Sequence, residues 1–544
     1  MTNLVGKHLP DELIARYNAA KTTREYWRGF MDEAYKYIFP NRNNWDSIPA
    51  TTEPEGKRKN PDVWDITAPL SARAFVGKMF STLTPPFRRW ASYVAGSAVP
   101  EASEKEVNED LQKQTEILFK FIDQSNFALA ITECYMDIIM GTAAVLIEEG
   151  DDEQPLIFTC LPTAVLAFEE DSQSVIQNTY REHHRLKMRD IVNKWPLAVI
   201  PEDRKIQSEA DSEAEFSLLD CIIFDESKNI YTYYVVFLDD SKVIFQDESK
   251  SQRIIVFRWS KLPGEVWGRG IAHDAMPTIR SLNELIKLMY EASEIGAFPP
   301  MVSYDGAFFN TSNVNLSPKT FITVKGLPGQ RPPIESIPFN PNLQFSEAII
   351  GQSQEWVRRA FYDEPLGPVD APKKTATEVS IRQQAFVEEI GAAFGRFEVE
   401  FLGRIIDRCT FILRKKGFLS KKIVIDGKSI DLKYRSPLAK LQDQEDLEAT
   451  SLANQMLQQL MGEFAVLAYN FEKIPTFIAE KANADLTLFK SPKRLQRLAQ
   501  DIMQRMLTQL EVQQQQTPAA APAGPSPEPS GAAGQLIPTQ PEGL

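Results

Sequence analysis

The chain has 544 residues, with 60 Lys and Arg against 74 Asp and Glu, a formal charge of −14 at pH 7, and 43% hydrophobic and 25% charged residues. This ordinary globular mixture excludes wholesale disorder, a collagen repeat and a multi-span membrane protein, and the length predicts roughly three domains' worth of chain. An acidic total argues against a protein that coats nucleic acid, since coating rests on Lys and Arg neutralising phosphates; it does not exclude one that DNA merely passes.

The excess charge is local. Residues 148–226 hold 19 acids and 7 bases, a net of −12, which leaves −2 for everything else. The four cysteines, Cys134, Cys160, Cys221 and Cys409, lie far apart with no C-x-x-C, the pattern of free thiols in a reducing compartment. Met1 to Asp11 lacks the basic-then-apolar pattern of a secretory signal. The most lipid-like uncharged stretch, Ile138 to Ile147, is about half a membrane span. The expectation is a soluble, cytoplasmic chain without membrane contact.

In chain order, residues 11–38 read as an aromatic helix with Tyr17, Tyr26, Trp27, Phe30, Tyr35 and Tyr37, acidic at its start and followed by Pro40. Helical patterns resume at 64–83, before Pro85-Pro86, and at 101–141. From Leu218 to Ser260 the period changes to two, with Asp/Ser/Lys turns between runs, which predicts an antiparallel meander. A helix over 271–297 carries Ala275, Ile279, Leu282, Ile286 and Met289 at a four-three-four-three spacing, a narrow seam facing a partner helix. Residues 299–342, rich in Pro, Gly and Asn, predict a loop-and-strand excursion.

A second helix is predicted over 343–362 with Phe345, Ile349, Trp356 and Ala360 on one side. Asp363 to Lys374 carries three prolines and breaks it. A long helix follows over about 377–416, roughly 60 Å at about 1.5 Å per residue, striped by Phe386, Ile390, Phe394, Phe397, Phe401 and Ile405. Gly391, Gly395 and Gly403 inside it permit a kink or close packing. Asp426-Gly427 marks a hairpin turn. Ser436-Pro437 and Ser491-Pro492 start two further helices, the second striped by Leu495, Leu498, Ile502, Met506 and Leu510. Residues 517–544 hold seven prolines, no aromatics and no Lys or Arg, the composition of a disordered tail.

Catalytic signatures are absent. His183-His184 is adjacent rather than at i, i+4, so the two rings do not face one metal ion and read as partly exposed surface histidines. Gly367 to Lys374 lacks the second glycine of a P-loop, Gly268-Arg-Gly270 continues to His273 rather than to a dinucleotide fingerprint, and no G-x-S-x-G occurs. Asp225-Glu-Ser-Lys228 and Asp247-Glu-Ser-Lys250 fit solvated turns better than a nuclease site. Glu148 to Glu153 lacks calcium-loop spacing and reads as a turn too. The residues by themselves predict a non-enzymatic, helix-rich α+β assembly protein with no cofactor or metal.

Read in order, several segments resemble the head-to-tail connector (portal) proteins of short-tailed, T7-like bacteriophages: Tyr35-Lys-Tyr-Ile-Phe-Pro40; Trp64-Asp-Ile-Thr-Ala-Pro-Leu-Ser-Ala-Arg73 with Leu83-Thr-Pro-Pro-Phe-Arg-Arg-Trp90; Met140-Gly-Thr-Ala-Ala144; Trp267-Gly-Arg-Gly270 with Leu282-Asn283; and Thr375-Ala-Thr-Glu-Val379 with Arg382. Each is short; their order over roughly residues 20–435 carries the resemblance. It implies a ring of twelve copies at one capsid vertex, assembled in the host cytoplasm, through which double-stranded DNA is packaged and ejected without sequence specificity. The implied partners are a terminase motor, tail adaptors, and capsid and scaffolding proteins.

The resemblance also implies a division into a wing (1–265, with the hairpin 418–435), stem helices (266–298 and 343–362), a clip (299–342), a tunnel loop (363–376), a long kinked helix (377–417), a crown (436–512) and a disordered tail (513–544). Lys373 and Lys374 would face the DNA channel, while Phe308, Phe309, Lys319, Lys325 and Arg331 of the clip would dock motor and adaptors. Subunit packing would fall to Ile279, Leu282, Ile286, Met289, Trp356, Phe394, Phe397 and Phe401, because a helix pair with narrow apolar seams suits the same pair in a neighbour. Residues 343–417 balance 11 acids with 11 bases, compatible with a wall that does not grip phosphate. Two other classes are weighed against this: another ring-forming virion part such as a tail adaptor, although adaptors are shorter, and a DNA-processing enzyme.

Overall fold

The structure, a computed structural model, describes residues 9–42, 45, 62–96, 99, 101–297, 301–303, 334–336, 343–363, 390–420, 430–434, 437–461, 474, 477 and 478. Residues 1–443 form one compact unit and 444–544 a second; the architecture below is that of the first. It is mixed α+β.

The aromatic N-terminal helix is two helices, α1 (Leu9–Glu25) and α2 (Arg28–Ile38), divided at Tyr26-Trp27. In a straight helix Tyr17 and Tyr35, five full turns apart, would share one face. The break sends them to different cores instead: Tyr17 lies against Tyr180 in a small cluster, and Tyr35 sits in the main one. Helix α3 (Thr67–Leu83) starts after Asp65, whose carboxylate accepts from the Thr67 N–H and hydroxyl, both at 3.0 Å, and stops before the two prolines. Strand β1 (Ala91–Ala95) follows. The single helix expected over 101–141 divides into α4 (Glu101–Gln124) and α5 (Phe127–Ile138). Asn126 at the break exchanges side-chain hydrogen bonds with the Phe158 backbone, at 2.7 and 2.9 Å, in the manner of an extra strand residue.

The strands are more numerous than the periodicity suggested. They are β2 (Thr142–Glu149), β3 (Leu156–Leu161), β4 (Leu166–Glu170), β5 (Ile176–Lys187) and, after the short helices α6 (Met188–Lys194) and α7 (Glu202–Ala210), β6 (Glu215–Asp225), β7 (Ile230–Phe237), β8 (Lys242–Ser249) and β9 (Ile254–Arg258). The predicted meander over 218–260 is corrected at both ends. It begins with β4 and makes a five-stranded antiparallel sheet β4-β5-β6-β7-β8, whereas β9 leaves it for a three-stranded sheet β3-β2-β9. The five-stranded sheet is covered on both faces, with Leu219, Cys221 and Val236 under α1 and Leu218, Ile222, Val235 and Phe237 toward the main core, the alternation a strand imposes.

Helix α8 (Ile271–Ala297) keeps its predicted bounds, and after it β10 (Met301–Ser303) pairs antiparallel with β11 (Ile334–Ser336). Helix α9 (Leu343–Ala360) also forms as predicted, but its face is different. Ile350, Ser353, Val357 and Phe361 are buried, while Phe345 and Trp356 are 65% and 53% exposed. The larger aromatic stripe points outward and the smaller one meets α8 and α3.

The long helix is described from residue 390: α10 (Gly391–Phe397), a π-helical turn Glu398–Leu402, and α11 (Gly403–Lys415). A Cβ added at Gly391 or Gly395 would meet nothing within 4 Å, so close packing is not their reason. Strand β12 (Ile430–Tyr434) pairs antiparallel with β1, and α12 (Pro437–Met461), which runs on into the second unit, begins at the expected proline.

Candidate functional site

The proline-rich loop expected over 363–374 lies outside the described residues beyond Asp363, but both of its approaches are described. At its start, α9 closes in a Schellman turn: the Asp363 N–H bonds the Arg358 carbonyl at 2.8 Å and the Tyr362 N–H bonds that of Arg359 at 2.9 Å. Tyr362 holds the left-handed position, φ 54°, that glycine usually takes, at a strain of order 1 kcal/mol. One face of α3 holds it there. Ser71 donates to the Asp363 carboxylate at 2.9 Å, Lys78 donates to the Tyr362 carbonyl, and Phe75 stacks on the Tyr362 ring at 6.1 Å.

Beyond the loop, α10 returns to the same place. Trp259, immediately after β9, lies 6.5 Å from the Tyr362 ring, 5.6 Å from Phe75 and 5.8 Å from Phe397. Phe397 and Phe401 in turn contact Phe257, the latter at 4.1 Å. One aromatic cluster therefore fixes both sides of the loop.

The π-turn aims Glu400 into a buried ionic hub. Arg258, fully buried, donates through Nη2 to Glu400 Oε1 at 2.7 Å and through its backbone N–H to Oε2 at 3.1 Å; Nη1 reaches Glu170 and the Val266 carbonyl, each at 2.8 Å. Arg396 and Lys261 close the hub from either side, on Glu400 and Glu170. Burial opposes the charge on Arg258, yet Glu400 and Glu170 more than offset it, and its pKa is raised. A π-turn adds one residue per turn, and here that offset accompanies the presentation of a carboxylate to the core.

Four of the short motifs singled out in the sequence meet in pairs. Met140-Gly-Thr and Trp267-Gly-Arg-Gly touch backbone to backbone: a Cβ at Gly141, Gly268 or Gly270 would fall 2.2 Å from the carbonyl oxygen of Gly268, Gly141 or Ile139 respectively. Thr142 accepts from the Gly268 N–H at 2.9 Å. Trp64-Asp meets the middle of the helix pair, where Asn283, buried in α8, accepts from the Trp64 N–H at 2.8 Å and Asp65 accepts from Gln354 of α9 at 3.2 Å.

Of the residues expected at subunit contacts, Ile279, Leu282 and Ile286 are buried within the protomer and Met289 is half-buried there. Phe394, Phe397 and Phe401 belong to the protomer's own core, and only Trp356 of the set is largely exposed. Lys373, Lys374, Phe308, Phe309, Lys319, Lys325 and Arg331, and the motif Thr375 to Arg382, lie outside the described residues.

The surface reading of the histidine pair is corrected for His183 and holds for His184, which is partly exposed. His183 is buried with its Nε2 2.6 Å from Asp220, and His184 on the opposite side of the strand lies 3.5 Å from Glu182. Burial would push the Asp220 carboxyl up, but His183 beside it pulls it down to about 2. The Glu148–Glu153 turn is a docked one, held by Lys415 on Glu149 at 2.9 Å and Lys416 on Asp152 at 3.2 Å. Arg258 and Glu400 were invisible as a pair, since a partner 142 residues away leaves no local signal; a charged residue inside an apolar stripe, Glu400 beside Phe401, is the one hint.

Among the described residues no group of three or more His, Cys, Asp or Glu side chains could hold a metal ion, and no helix is long and apolar enough to cross a membrane. Two comparisons bear on function. A family model described as bacteriophage head to tail connecting protein matches residues 10–489. A probable portal protein of Bordetella phage BPP-1 is 21% identical over 426 residues, covering 73% of each chain.

Proposed function

Because the chain belongs to the bacteriophage head to tail connecting protein family, we propose that it builds the portal: a ring at one capsid vertex through which double-stranded DNA is packaged and later leaves. The observation that carries this reading is the family match over nearly the whole chain, joined to the pairwise contacts of Met140-Gly-Thr with Trp267-Gly-Arg-Gly and of Trp64-Asp with Asn283. In this reading α8 and α9 are the stem, residues 299–342 the clip that meets the terminase motor and then the tail adaptors, 363–376 the loop nearest the DNA, and 436–512 the crown. The sheets and N-terminal helices form the wing, toward capsid and scaffolding proteins. The ring holds twelve copies. The role is structural, and no catalytic step is assigned to it.

Electron microscopy of the purified protein tests this reading: twelve-fold rings with a central hole are expected, and monomers at high concentration would overturn it. Ring yield is expected to rise as salt is added up to moderate concentrations, because the net −12 of residues 148–226 then repels its neighbours less, the Debye length falling to about 8 Å at physiological ionic strength. A yield that only falls with salt would remove that charge from subunit boundaries.

For the loop, we place Lys373 and Lys374 as the positive charges facing DNA. Replacing both with Ala is expected to change packaging or DNA retention more than ring assembly, measured as DNA per capsid beside ring yield. Normal packaging and retention by the double variant would end that assignment.

A further inference from the structure

Two of the four cysteines, 26 positions apart in the chain, meet at the edge of the main core. Cys134, on α5, is fully buried, and its thiol donates to the Ala144 carbonyl of β2 at 3.5 Å. Cys160, on β3, is half-buried and lies opposite Val145 of β2 in the antiparallel register. Its side chain points back at α5: the Cys160 thiol donates to Oδ2 of Asp137 at 3.8 Å, and residues 134 and 137, three apart, share a face of that helix. The two thiols are hydrogen-bonded to each other. We infer that this pair is a redox site, at which peroxide joins Cys134 and Cys160 in a disulfide that staples α5 to β3.

Asp137 supplies the proton acceptor. Arg42 at 2.7 Å and Tyr35 at 3.4 Å take its Oδ1, and its Oδ2 is turned to the Cys160 sulfur. Burial raises the Asp137 carboxyl against the pull of Arg42, which makes the carboxylate a stronger base toward the thiol. The hydrogen bond with Cys134, and then burial, raise the Cys160 thiol as well. The thiolate is the reactive form of cysteine, so a thiol held protonated reacts slowly and the pair stays open in a reducing compartment.

Hydrogen peroxide is the co-reactant. The Cys160 sulfur attacks one peroxide oxygen; the S–O bond forms as the O–O bond breaks. The thiol proton passes to Asp137 and from it to the departing hydroxide, leaving a sulfenic acid on Cys160 and one water. The Cys134 sulfur then attacks the Cys160 sulfur, the S–S bond forms as the S–O bond breaks, and the Cys134 proton leaves with the hydroxyl as a second water. Two thiols lose two electrons and one peroxide gains them. The bond closes residues 134–160, with all of β2 among them, into a loop, which restricts the unfolded chain. This chemistry goes beyond the portal reading and does not rest on it; that reading adds the occasion, since a virion leaves the reducing host cytoplasm.

The test treats the purified chain with hydrogen peroxide under native conditions at mildly alkaline pH, then denatures it in N-ethylmaleimide and maps the peptides by mass. A linked Cys134–Cys160 peptide pair, lighter by two hydrogens and released by dithiothreitol, is expected in most copies, with Cys221 and Cys409, both buried, alkylated as free thiols. The oxidised protein is expected to melt at least about 3 °C above the reduced one. Cys134→Ala is expected to stop at a sulfenic acid on Cys160, trapped by dimedone, and Asp137→Asn to slow formation of the bond severalfold. Peroxide treatment that leaves Cys134 and Cys160 both open to maleimide, or that carries Cys160 to the sulfinic acid beside a free Cys134, would overturn the site. An unchanged rate in Asp137→Asn would remove Asp137 from the step. Ring formation is scored separately: rings without the bond leave the portal reading standing, and the bond without rings leaves this inference standing.

Discussion

Gly268→Ala is expected to yield little folded protein, and what folds is expected to melt well below the wild type, while Gly77→Ala leaves the melting temperature unchanged or slightly higher. The new Cβ would lie 2.2 Å from the Gly141 carbonyl oxygen and 2.8 Å from the Arg258 Cβ. Neither neighbour is the yielding end of a flexible side chain. Gly141, itself at φ 115°, cannot move away without disturbing the Trp259 N–H that bonds its carbonyl at 2.9 Å. Overpacking of this kind costs about 3 kcal/mol, roughly 6–12 °C at about 2–4 °C per kcal/mol. Gly77 sits in α3 with open space around it, where Ala is favoured over Gly by up to about 1 kcal/mol. Differential scanning fluorimetry and soluble yield measure both, and a Gly268→Ala melt within about 2 °C of wild type would mean the glycine junction is not tight.

Glu400→Ala is expected to destabilise the protomer by about 3 kcal/mol, the lower end of the range for orphaning a buried charge, because Glu170 still faces Arg258. Glu400→Gln is expected to cost less, since its amide oxygen still accepts from Arg258. The effect is local before it is global. Glu400 is the polar tether of the π-turn, so hydrogen exchange should accelerate across residues 390–402 more than in α3 or β2. Uniform acceleration would show that the hub supports the whole core rather than this turn. The double variant Arg258→Met with Glu400→Leu should recover part of the loss, because an apolar pair of similar size leaves no charge to desolvate.

Elements with a single buried face were legible in the sequence. The α8 seam, at three-four spacing, was read at its right bounds and with the right buried residues. Elements buried on both faces, or polar on both, were not: β2 is an unbroken apolar run that lacks alternation, and β5 carries Arg, Glu, His and Lys through a two-sided sheet, so its period of two is diluted. For α9 two stripes competed; size favoured the aromatic one, whereas tertiary contact with α8 and α3 selected the one containing Ser353. The glycine motifs were visible but not their pairing, because Gly141 and Gly268 are joined only by the fold. The hub was hidden for the same reason.

The distances along the chain that these contacts span also set a timetable. Ser71 finds Asp363, Arg258 finds Glu400 and Tyr93 finds Thr410, at separations of 292, 142 and 317 residues. Loop closure on that scale slows folding, and during synthesis it imposes a wait. A ribosome working at about 5–20 residues per second needs roughly 20–80 s to reach α11. Until then the apolar sides of β9 and α5 that Phe401 covers stay open, and the newborn chain is most exposed to aggregation and chaperone capture. Truncations ending before residue 390 would be trapped in that unfinished state.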